Sequence, residues 1–246
     1  MGDELGRLLR EVDRKKMELA ERPEVAPNAR DAYEERFLYE SIFFNNTMEG
    51  NQLTAAEIRQ VLTDDVVIAG KPLSDHIALV GYRDAMRLSD RYIQQQRRIT
   101  EHEIRRLHAC MLIDKQEMAG EYRTYNLMIQ GHRPTSYEKV GLKMQQLTEA
   151  KPSEHAHPIE SIAWFHLRLE KIHPFGDGNG RVGRLIINIM LEQAGFPAVI
   201  IRDTDRECYY EALNAYDGLD GNPQVLPMQL LLGQLVSRHL DELLAI

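Results

Sequence analysis

Helical spacing of apolar residues runs through almost the whole chain and leaves little room for anything but a helical fold. Apolar positions recur at three- and four-residue intervals near residues 3–20, 28–49, 54–64, 74–96, 100–113, 137–149, 158–172, 179–194, 205–216 and 225–244. Proline and glycine punctuate these segments at Pro23, Pro27, Gly50, Gly70-Lys71-Pro72, Pro152 and Gly218 to Pro223. One stretch departs from the pattern. Tyr125–Ile129 reads as a strand, with a partner near Pro134 and a turn at Gln130-Gly131-His132. No repeat or low-complexity tract interrupts the sequence, and no linker is long enough to divide it. The expected fold is mainly α, a single compact domain with a small β-hairpin.

A chain of 246 residues can bury an ample core. Its net charge of −8 argues against a nucleic-acid-binding surface, which shows as a basic excess. No run approaches the eighteen or so apolar residues of a membrane span. The start, Met-Gly-Asp-Glu-Leu-Gly, lacks an apolar signal core, and the expected location is cytoplasmic. Cys110 and Cys208, each inside a helix-like segment, are expected as reduced thiols.

The residues His173 to Arg184, His-Pro-Phe-Gly-Asp-Gly-Asn-Gly-Arg-Val-Gly-Arg, lie between two helical segments. A glycine-rich turn running into a helix start points backbone N–H groups at one spot, and the helix dipole favours an anion there. Asp177 sits in the same turn, where a bare phosphate would repel it. A hard divalent cation, Mg²⁺, resolves the conflict by bridging carboxylate and phosphate oxygens. Arg181 and Arg184, three apart, can clamp further phosphates. His173, at the end of the preceding helix, is a candidate general base. An EF-hand reading fails because no Glu follows at the twelfth loop position, and a P-loop reading fails for want of Gly-Lys-Ser/Thr. The set reads as a site for phosphoryl or nucleotidyl transfer.

This stretch resembles the signature of the Fic family, His-x-Phe-x-(Asp/Glu)-Gly-Asn-Gly-Arg-x-x-Arg, and matches every specified position. The resemblance implies a Fic-type helical bundle with a β-hairpin flap, and transfer of AMP from ATP to a Ser, Thr or Tyr hydroxyl of a protein target. Carried over by position, His173 would deprotonate the target hydroxyl and Asp177 would hold Mg²⁺. Asn179 with the Gly178 and Gly180 backbone would cradle phosphates. Arg181 would bind the β-phosphate region and Arg184 the γ-phosphate. Phe175 would be a buried anchor.

Three further segments gain meaning from the resemblance. Glu34–Met48 runs helically to Glu49-Gly50, which puts a carboxylate against the dipole at the helix end. Asn45-Asn46-Thr47-Met48-Glu49-Gly50-Asn51 resembles the family's inhibitory pattern (Ser/Thr)-x-x-x-Glu-(Gly/Asn), with Asn45 in place of Ser or Thr. Glu49 would pair with Arg184 and block the γ-phosphate position. Asn126, Leu127, Met128, Ile129, Gln130, Gly131 and His132, after Gly120-Glu121-Tyr122-Arg123, are similar to the flap to which a target adds as a strand. Arg206 to Leu213 resembles the helix lining the nucleobase pocket. Tyr210 would cover the base and Asp217, where relatives often have Asn, would lie near its edge. Residues 1–98 then form an N-terminal helical region with the inhibitory helix at about 34–50, and residues 99–246 the core with the C-terminal helix.

His166, two turns before His173, reads as a core histidine near the site, and no Glu-x-x-His or Cys-x-x-Cys suggests zinc. Leu226–Ile246 is amphipathic, with core packing as its first reading and a homodimer surface as its second. Beside the autoinhibited AMP transferase stand other readings: an enzyme that removes AMP or does both, a transferase using another nucleotide or CDP-choline, and a catalytically silent nucleotide-binding protein. The intact His173 weighs against the last, since binding alone has no use for a base.

Overall fold

The computed structural model describes residues 2–23, 27–129, 134–151, 156–217 and 222–246. Among them lie ten α-helices: α1 Gly2–Glu21, α2 Pro27–Thr47, α3 Ala55–Asp64, α4 Leu73–Gln94, α5 Glu101–Met111, α6 Val140–Glu149, α7 Pro158–Ile172, α8 Asn179–Gln193, α9 Arg206–Asp217 and α10 Leu226–Leu244. These are the segments marked by apolar spacing, with ends displaced by no more than two or three residues, as fraying ends allow. Local chemistry sets several starts. Thr54 and Glu57 close a capping box on α3, and His157 with Glu160 does the same for α7, where Pro158 fills the first helical position.

Two apolar clusters form the interior. One gathers Ile42, Leu79, Tyr82, Leu107, Met144, Leu169 and Ile186 from α2 and α4 to α8. The other gathers Leu9, Val12, Ile162, Leu167, Ile187, Tyr209, Leu232 and Val236 from α1 and α7 to α10. Helices α7 and α8 contribute to both clusters, and eleven of the fifteen residues of α8 are buried. A helix buried over most of its surface belongs in the middle of a fold. The turn joining α7 to α8 is therefore held between two packed layers. Cys110 and Cys208 are free thiols.

The hairpin differs from expectation. Ile129 makes a single bridge, no strand ladder occurs among the described residues, and Gln130, Gly131 and His132 lie outside them. Side chains do the work expected of a ladder. Arg123 donates to the carbonyls of Tyr125 and Thr135, one on each arm, and Asn126 Oδ1 accepts from Tyr137 N at 3.0 Å. Backbone groups satisfied in this way need no cross-strand partner.

Candidate active site

The signature turn is built from the end of α7. His173 caps that helix in the left-handed region (φ 48°, ψ 63°), its N–H donating to Leu169 O at 2.9 Å. Pro174 disfavours a helical residue before it, so the helix must stop here. Asn179 then clips the turn shut: its Oδ1 accepts from Phe175 N and its Nδ2 donates to Phe175 O, both at 2.9 Å. Both amide atoms of the Asn179 side chain are spent on this frame, which leaves its main chain for a ligand. Gly178 enters α8 with φ 77°, a conformation that needs glycine. The first N–H groups of α8 have no intrahelical partner and face outward from the turn.

Two cavities open on either side of the α8 start. The larger, of about 340 Å³, is lined by Glu49, His173, Gly180, Arg184, Tyr210 and Asp217, with Ile129 from the flap and Glu170, Lys171 and Tyr209 among its other walls. The smaller, of about 190 Å³, is lined by Asp177 and Arg181 together with Asn46, Glu49, Asp114 and Lys115. The two arginines thus look into different spaces, and Glu49 borders both. Asp217 pairs with Lys171 at 2.5 Å, and Tyr210 meets Tyr209 edge-on at 5.5 Å.

Arg184 is the centre of the larger cavity's charge. It is 5% exposed. Its Nε donates to Asn45 Oδ1 at 2.7 Å, and its Nη2 donates to Asn45 O at 3.1 Å and to Glu49 Oε1 at 2.8 Å. Asn45 therefore serves where the inhibitory pattern has Ser or Thr, its own amide anchored by donating to Ser41 O at 2.9 Å. Glu49 is delivered by a helix stop. Asn51 N donates to Asn46 O and Gly50 N to Thr47 O, with Gly50 at φ 87°, the paired bonds of a Schellman cap. Burial alone would push Arg184 down, but Glu49 raises it well above the ordinary guanidinium range.

The rest of the site depends on residues that carry no sequence signal. Lys115 donates to Asp177 Oδ2 at 2.7 Å. Burial pushes Asp177 up, yet Lys115 and Arg181 more than offset it and hold the carboxyl below its usual range. His108 stacks on Phe175 with ring centres 3.7 Å apart, accepts from Gly120 N at Nδ1 and donates from Nε2 to Asp177 O. Arg123 Nε donates to the His173 carbonyl at 2.8 Å. His166, as expected, is buried, its Nε2 2.9 Å from Tyr209 OH. Burial pushes His173 down to about 4, with Arg123 acting in the same direction, so the ring is neutral at neutral pH. No group of three or more His, Cys, Asp or Glu arranged to hold a metal occurs among the described residues.

The Fic/DOC family pattern matches residues 98–191. A protein adenylyltransferase Fic from Nematostella vectensis is 33% identical over 221 residues, 88% of this chain and 52% of its own length. The chain belongs to the Fic family. It spans about half the length of the curated Fic relatives it matches. Among solved structures, Fic-1 (aa134–508) of C. elegans superposes with a TM-score of 0.88 at 24% identity, covering 99% of this chain and 73% of that one. A Fic domain containing signaling protein from Bacteroides thetaiotaomicron superposes at 0.85 with 23% identity, covering 96% and 95%. The Fic fold is thus shared along nearly all of this chain.

Proposed function

We propose that this chain transfers AMP from ATP to a hydroxyl side chain of a protein and is restrained by its own Glu49. One observation carries the reading: Glu49 holds the Arg184 guanidinium at 2.8 Å inside the cavity that His173 also lines. A carboxylate on an arginine at a helix start stands where a phosphate would otherwise sit. The names of the curated relatives, protein adenylyltransferase Fic, support AMP as the transferred group.

His173, neutral and lining the cavity, takes the proton of the target hydroxyl. The oxygen then attacks the α-phosphorus of ATP, and the bond to pyrophosphate breaks. The α8 N–H groups, Arg184 once Glu49 has left, and Arg181 from the neighbouring cavity balance phosphate charge. Asp177 is the residue that would hold Mg²⁺, a lone carboxylate suiting a cation that takes its other ligands from phosphate and water. Bound there, the ion would neutralise phosphate charge. Tyr210 and Asp217 would meet the base, and the flap around Ile129 would dock the target.

In transfer from α-labelled ATP with Mg²⁺, label on protein should be strong in Glu49→Gly, weak in the unsubstituted chain, absent in His173→Ala and absent after chelation. Equal labelling with and without Glu49 would sink the restraint. A second reading rests on Glu49 bordering both cavities with its side chain 35% exposed. There it could orient a water to remove AMP from a modified protein, and Glu49→Gly would then lose that reverse reaction.

A further inference from the structure

His173 is a base in adverse surroundings. Its side chain is only 18% exposed and the Arg123 guanidinium is bonded to its own carbonyl. A proton taken from a hydroxyl would create a second cation beside Arg123 with little water to screen it. Such a charge is costly without a partner.

Glu170 stands one turn earlier on α7. Its Oε2 lies 3.7 Å from His173 Nδ1, near enough for charge but not for a hydrogen bond, its backbone bonds the ring, and its side chain is 12% exposed. Its Oε1 is buried with no hydrogen-bond partner among the described residues. Space for it exists because residue 183 is glycine: a Cβ there would come within 2.5 Å of Glu170 Oε1. Burial pushes Glu170 up to about 7. Arg184 from α8 lowers it and Glu49, past the end of α2, raises it, while Tyr209 from α9 and His166 from α7 also face this region. The guanidinium of Arg184 is engaged with Asn45 and Glu49 instead. A buried acid with one oxygen unspent against Gly183 and the other 3.7 Å from the base costs stability and gains no side-chain hydrogen bond in return.

We propose that Glu170 is the positioning residue for His173: its backbone bonds the ring and its carboxylate, 3.7 Å from Nδ1, balances the charge the ring acquires as Nε2 takes the target's proton. The proposal rests on the transfer reading above. In that step the target O–H bond breaks and an N–H bond forms at Nε2. The target oxygen replaces pyrophosphate on the α-phosphorus, and the ring later returns its proton to water. Glu170 acts in its ionised form and neither gains nor loses a proton in the step. Departure of Glu49 removes the negative neighbour that raises Glu170, so the movement that frees Arg184 also favours the ionised acid.

The test compares Glu170→Gln and Glu170→Asp, each in the Glu49→Gly background, for transfer from α-labelled ATP across the neutral pH range. Glu170→Gln should lower kcat on the order of 10- to 100-fold, leave KM for ATP within about twofold and remove the carboxyl ionisation, which with Glu49 gone lies on the acid side of neutrality. Glu170→Asp should restore that ionisation and part of kcat. A Gln variant with its parent's kcat and pH profile overturns the proposal. Independently of turnover, the His173 ring resonance, assigned by its loss in His173→Ala, should step in the unsubstituted chain as Glu170 ionises and lose that step in Glu170→Gln. No step overturns the proposal whatever the activity. A step without transfer in Glu49→Gly keeps the pair and overturns the transfer reading.

Discussion

At Gly180 a Cβ would stand 2.8 Å from both Arg184 Nη1 and Glu49 Oε1, so the ion pair lies against bare backbone. The motif's third close glycine is thus a matter of space, whereas Gly178 is a matter of backbone angle. Gly180→Ala should force the pair apart and, because both atoms it meets are side-chain tips, lower stability only by about 1 kcal/mol, read as a lower thermal midpoint. An unchanged midpoint would mean that Arg184 and Glu49 move aside freely. The signature residues were legible because their types and spacing are themselves the signal. Lys115, His108 and Glu170 were not, because one lysine, histidine or glutamate on a helix or loop resembles any other until its partner is known.

At the scale of elements, the end of α2 delivers Glu49 to Arg184 through a cap that depends on Gly50 at φ 87°. Gly50→Ala meets no atom within 4 Å, so its penalty is the backbone angle alone, about 1 kcal/mol. The loosened cap should raise AMP transfer above the unsubstituted chain but below Glu49→Gly, measured with α-labelled ATP. Labelling equal to the unsubstituted chain would show that Glu49 reaches Arg184 without the cap. Helix existence was readable for all ten elements because each buries a face at helical spacing. The flap misled for a physical reason: Tyr125–Ile129 has strand composition, but Arg123 and Asn126 satisfy its neighbourhood with side-chain bonds.

Among the described residues of the whole molecule, burial lowers four histidines, His108 to about 4, His166 to about 3, His173 to about 4, and His239 in the same direction. The unfolded chain protonates them near 6.5. Between about pH 6.5 and 4 the unfolded state therefore binds more protons, and their contribution to stability is lost as pH falls through that window. Glu170 acts in the opposite sense, because its folded carboxyl, pushed up to about 7, keeps a proton that the unfolded chain releases above about 4.5. Glu170→Gln should therefore steepen the fall of the unfolding midpoint from pH 6.5 to 4 relative to the unsubstituted chain. Parallel curves would show that Glu170 ionises as it does in water.

The sequence by itself determined the helices, the turn between α7 and α8, and the family to which that turn belongs. Each of these is written in residue types at short spacing, where local sterics and helical period act directly. Only the tertiary structure decided which charges meet. Glu49 reaches Arg184 across 135 residues and Lys115 reaches Asp177 across 62. Contacts at such separations depend on how α2, α5, α7 and α8 pack around two apolar clusters, and no local pattern in the chain records that packing.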